Sequence, residues 1–79
     1  MPLHELRKSL EKEAGKRVKI FTANRTYEGT LSPFPSGEPA VGAHSLHLSN
    51  VTVQEAFVKQ PISVDHITIA VEHVEAYTM

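Results

Sequence analysis

The apolar period of this chain changes from helical to alternating at Gly15 and never changes back. Before that point Leu3, Leu6, Leu10 and Ala14 recur at helical spacing, while Arg7, Lys8, Glu11 and Lys12 fill the opposite side. Pro2 suits a first helical turn, where its missing N–H costs nothing, and Gly15 suits a left-handed stop. The spacing predicts a helix from Pro2 to Gly15, within an N-terminal segment 1–15. Its apolar stripe is narrow, enough for one packing neighbour.

From Arg17 onward the pattern is that of strands. Val18, Ile20 and Thr22 alternate with Arg17, Lys19 and Phe21. Ala23-Asn24-Arg25 makes a tight turn, with Asn24 the expected positive-φ residue. Tyr27, Gly29 and Leu31 alternate in a second strand, and a glycine inside a strand marks a sharp bend. A small barrel needs such a corner. Pro33 to Gly42 carries three Pro and two Gly in ten residues, so a long loop is expected over 33–45. Leu46, Leu48, Val51 and Val53 mark a third strand, which Gln54 to Val58 either extends or leaves; Pro61 sits near a break. Ile67, Ile69 and Val71 mark a fourth strand, Glu72-His73 a two-residue turn, and Val74 to Thr78 a short last strand. The expected order is a helix and then five strands, with a hairpin at each end. No βαβ pattern occurs, so the sheet should be antiparallel. Five short antiparallel strands bury best as a small closed or nearly closed barrel, giving a mostly β single domain over 1–79 with the barrel at 16–79.

Size adds a demand. A chain of 79 residues is one domain, and a domain this small buries only about 60% of its unfolded surface. There is no cysteine, which excludes a disulfide framework, cysteine zinc sites and thiol catalysis, and makes a reducing cytoplasmic setting the expectation. Oligomerisation is the remaining common remedy. No apolar run is long enough to span a membrane, and Arg7 and Lys8 interrupt any signal-peptide core.

Charge is divided along the chain. Residues 1–25 hold seven Lys and Arg against three Glu, a net of +4; residues 26–79 hold Lys59 against six acids, a net of −5; together these give −1. The whole chain is therefore no general polyanion binder, but its basic end is a local candidate.

The succession of motifs resembles the Sm and Sm-like family, which includes the Hfq proteins. The likeness rests on Lys16-Arg17-Val18-Lys19-Ile20, a turn at Asn24, Tyr27-Glu28-Gly29-Thr30-Leu31, Phe34, and the pair Leu46 and Leu48; Asn50-Val51-Thr52-Val53 and Ile67-Thr68-Ile69 fit the strands that follow. The resemblance implies a five-stranded, strongly bent antiparallel SH3-like small barrel under an N-terminal helix. It implies homohexameric or homoheptameric rings joined by pairing of fourth and fifth strands, which would place Ile67, Ile69, Val71, Val74, Ala76 and Tyr77 at the subunit junction. A ring also removes two open sheet edges.

The usual RNA pocket of that family is changed here. Pro35 stands where the family has Asp, Ser45 where it has Asn, and Ile69-Ala70-Val71 where Sm members have Ile-Arg-Gly. His44 and Ser45, with Glu72 and His73 in the later turn, are the pore-side candidates for contacting RNA, because an imidazole and a hydroxyl can stack on and hydrogen-bond a base. His66 resembles the His of the Hfq Tyr-Lys-His motif, with Asp65 in place of its Lys. Lys8, Lys12, Lys16, Arg17, Lys19 and Arg25 form a second candidate surface, a basic face that a ring would repeat.

The five His show no metal-ligand spacing, and no nucleophile, carboxylate pair or phosphate loop is recognisable, so neither a cofactor, a metal nor catalysis is expected. The readings are a ring that binds single-stranded RNA, a structural or protein-interaction ring without RNA, and a monomeric barrel that docks a protein.

Overall fold

A computed structural model describes residues 3–79, with side chains from Glu5 onward. The expectations for Pro2 and for the Leu3 side chain lie outside the described residues. The element order is α1 (Leu3–Glu11), β1 (Arg17–Phe21), β2 (Arg25–Leu31), β3 (Ser45–Glu55), β4 (Ile62–Ala70), a 3-10 turn (Val71–His73) and β5 (Ala76–Thr78). The protein is mostly β, with one N-terminal helix and a five-stranded antiparallel sheet in the order β4-β3-β2-β1-β5. That arrangement is consistent with an Sm-like topology.

The helix is shorter than the spacing predicts. It stops at Glu11, and the bonds Glu13 N–H to Leu10 C=O (2.9 Å) and Lys16 N–H to Glu13 C=O (3.0 Å) tighten the chain into turns over 12–15. Gly15 then takes φ +87° at the third position of the Glu13–Lys16 turn, where a positive φ favours glycine, and donates to the Leu31 carbonyl at 2.7 Å. Helix and β2 are thereby joined before β1 begins. Leu6 and Leu10 are buried in the same core as the strands, and the helix packs on the 3-10 turn.

Strand alternation places the core. Val18 and Ile20 of β1, Tyr27 and Leu31 of β2, Leu46, Leu48, Val51 and Val53 of β3, and Ile69 of β4 all point to one side and cluster. Two devices bend the sheet around them. The β2–β3 register shifts between Glu28 and Thr30, and Asn50 sits at φ +52°. Such bulges increase local twist and turn a strand through a corner. Asn tolerates this left-handed conformation, but a β-branched residue does not. Replacing Asn50 with Val should therefore cost about 1–2 kcal/mol, while Asn50→Gly should stay within about 0.5 kcal/mol of wild type. Urea denaturation of the two variants measures the difference.

The expected hairpin at the C-terminal end does not form. Glu72 and His73 belong to a 3-10 turn, which carries the chain away from β4. β5 instead pairs with β1, Ile20 opposite Tyr77, and the Glu75 N–H reaches the Phe21 carbonyl at 2.8 Å. The physical reason is the bend: once β3 and β4 turn the corner together, the chain leaving β4 is carried across to the free side of β1. Tyr77 also hydrogen-bonds Ser9, so β5 is held by both β1 and the helix. Among the described residues β4 and β5 are left as the two outer strands, each with one unpaired edge.

The long loop before β3 is partly ordered by packing. A turn closes between Phe34 and Glu38, and then Ala40 and Val41 enter the core. The Ala40 carbonyl accepts from the His47 N–H at 2.8 Å, and Val41 bridges to Leu46. The Gly/Pro signal locates this segment but carries no trace of that docking.

Candidate nucleic-acid interface

The end of β4 and the start of β3 bring the pore-side candidates together. Ser45 lies opposite Ala70 in the ladder, and the His44 carbonyl accepts from the Val71 N–H at 2.9 Å. The 3-10 turn bearing Glu72 and His73 therefore begins beside His44. His44, Glu72 and His73 are exposed and Ser45 is half-buried, with the His73 ring and the Glu72 carboxylate 4.0 Å apart. An imidazole beside a carboxylate keeps polar groups available but adds no net positive charge while the imidazole is neutral.

The basic candidates do not form one face. Lys8 lies on the helix and Lys12 just beyond it, whereas Arg17 and Lys19 lie on β1, on the side away from the core. Lys16 pairs with Glu13 at 3.4 Å, and Arg17 donates to the Asn50 carbonyl at 3.2 Å. Arg25 pairs with Glu55 at 3.3 Å on the core side of β2. The Tyr27 hydroxyl, and then the Glu55 carboxylate, raise the Arg25 guanidinium above its ordinary pKa. Arg25, Tyr27, Glu55, Phe57, Ile69 and His73 line part of an open groove of about 800 Å³. Among the described residues Lys8, Lys12 and Lys19 make no ion pair.

The junction candidates divide by burial. Ile69, Val71 and Val74 are spent in the chain's own core, whereas Ala76 is exposed and Ile67 and Tyr77 are half-buried. Of the predicted junction residues, Ile67, Ala76 and Tyr77 therefore retain surface for a contact made by the edges, and Ile62 of β4, half exposed, adds to it.

A cluster that motif reading does not bring together lies on the other side of the sheet. His47 is 3% exposed, and its ring is stacked on His66 with centroids 5.2 Å apart and 23° between planes. Phe34 leans on the same imidazole at 5.2 Å. The His47 Nδ1–H donates to the Ser32 carbonyl at 2.9 Å, and its Nε2 is buried with no hydrogen-bond partner among the described residues. The Ser32 hydroxyl donates to Ser49 Oγ at 2.9 Å. His66 sits in the middle of β4, opposite Ser49, because the strand starts at Ile62 and not at Ile67. The signal that could have found this cluster is the polar ring of His47 set between Leu46 and Leu48, where strand alternation turns it away from the core.

Among the described residues there is no cluster of metal-ligating side chains, and no helix is long and apolar enough to cross a membrane. No protein-family model matches the sequence, and no curated protein matches it.

Proposed function

We propose that this chain is a non-catalytic Sm-like ring subunit that binds single-stranded RNA as a chaperone or scaffold. The observation that carries the proposal is the strand order: among the described residues β4 and β5 are the two ends of one five-stranded sheet and keep unpaired edges. Open edges invite pairing with another chain, and pairing β4 of one copy with β5 of the next satisfies both at once. Such a head-to-tail contact closes into a ring when its rotation permits. The RNA half of the proposal is supported by Lys8, Lys12 and Lys19 and by the exposed imidazoles of His44 and His73. A ring multiplies each of these weak contacts by its subunit number.

A structural ring without RNA is the second reading. It is favoured by the engagement of Lys16 and Arg25 in ion pairs and by the absence of an arginine near Ala70. Native mass spectrometry of protein purified without nuclease separates the readings. A hexamer or heptamer that retains oligouridine or oligoadenosine is the expected result, and a bare ring would leave the second reading. A monomer would sink both. In the RNA-bound case, the triple change Lys8→Glu, Lys12→Glu and Lys16→Glu should weaken binding at least about ten-fold and flatten its salt dependence. The change His44→Ala with His73→Ala should weaken it through lost stacking.

A further inference from the structure

We infer that the outer face of the sheet, and not only the turns at its end, is a binding surface for single-stranded RNA, with His66 as the platform for a base and Arg17 as the phosphate contact. This rests on the RNA reading above and places a site on it. The ladder sets the geometry. Arg17 is opposite Thr30, Thr30 opposite Ser49, and Ser49 opposite His66, so these four residues form one continuous row across β1, β2, β3 and β4. The row lies on the side away from the core, because its neighbours Val18, Leu31 and Leu48 point inward and are buried. Three strand spacings separate its ends by about 14 Å, a span suited to a short stretch of single strand.

Each position on the row has a fitting chemistry. His66 is exposed and forms the last ring of a column that runs Phe34, His47, His66. The inner rings give His66 a fixed backing, and the His47 ring is itself tied to the Ser32 carbonyl at 2.9 Å. A platform whose orientation is already set loses little freedom when a base stacks on its open side. Thr30 and Ser49 supply hydroxyls between the ends of the row, suited to a 2′-OH or a base edge. Arg17 is exposed and held to the Asn50 carbonyl at 3.2 Å, next to Ser49, so its charge is carried toward the row. The next row sets Lys19 opposite Glu28, whereas the four positions of the Arg17 row hold no acid, and the carboxylate beside its far end is Asp65, which precedes His66 on β4. Pairing of the β4 edge with a neighbouring copy uses backbone groups and leaves the His66 side chain on its face.

The test uses the full chain in its assembled form. Binding of short oligouridine and oligoadenosine is followed by fluorescence anisotropy, with a 2-aminopurine in the RNA to report stacking. His66→Ala should weaken binding about ten-fold or more and abolish the 2-aminopurine quench, and His66→Tyr should restore both. Arg17→Ala should weaken binding and lower the slope of log K against log salt. Native mass of each variant checks that assembly is unchanged. If His66→Ala and Arg17→Ala bind as wild type while the double change at His44 and His73 weakens binding, this face is wrong and the RNA reading stands. If wild-type protein binds neither RNA at any salt concentration, both fall.

Discussion

Gly29→Ala should lower the stability of this protein by about 2 kcal/mol, the largest effect expected of a single added carbon in this fold. Gly29 lies at the register shift of β2, where the strand passes close over β3. A methyl group built there would stand 3.0 Å from the Ser49 carbonyl oxygen and 3.0 Å from Val51 Cγ2, with Leu48 Cβ at 3.4 Å. The oxygen belongs to the backbone and is held in the ladder, so it cannot turn aside as a side chain would. Val51 is 1% exposed and is packed on every side. The reduced freedom of the unfolded chain returns less than about 1 kcal/mol, too little to reverse the sign. In a domain of this size the net loss corresponds to a fall in Tm of about 10 °C. Thermal unfolding followed by circular dichroism at fixed protein concentration gives the number, and a variant melting within about 2 °C of wild type would show that the sheet can open at Gly29.

Leu10→Ala should cost about 3 kcal/mol. Leu10 is fully buried although it belongs to the last turn of a helix of only nine residues, which would not be stable alone in water. Its side chain and Leu6 tie the helix to the strand core, so its loss removes packing and leaves a void that nearby strands cannot collapse to fill. The ion pair Arg7–Glu11, at 3.8 Å on the helix surface, contributes far less. Guanidinium denaturation should show a clear fall in midpoint for Leu10→Ala and almost none for Glu11→Gln. Equal effects from the two would mean that the helix is held by its surface and not by its buried stripe.

Much of the fold is legible because local patterns and burial agree. Leu6 and Leu10, Val18 and Ile20, Leu46 and Leu48 are each apolar at the period of their own element, and all are buried. The partner of β5 is not legible in that way. Ala76-Tyr77-Thr78 carries the same alternation whether it pairs with β4 or β1, and the choice is made by the bends near Gly29 and Asn50, distant in sequence. The candidate site divides in the same manner. His44 and Glu72 can be placed together from motif order, because each flanks a recognisable strand. The stack of Phe34, His47 and His66 depends on cross-strand register, which is set by pairing and not by composition.

The contact between Ser9 and Tyr77 bridges 68 positions of sequence. The strands β1 through β4 follow one another as a meander, so each pairing closes a comparatively short stretch of chain. The β1–β5 pairing must wait for closure across most of the molecule, at a high entropic cost for three residues of strand. Folding kinetics should therefore place β5 outside the transition state, with Tyr77→Phe acting on the unfolding rate and hardly on the folding rate. The same strand offers one of the two edges from which an assembly would be built. Synthesis, folding and association would then occur in sequence, with the adhesive edge completed only after the rest of the domain has closed around its core.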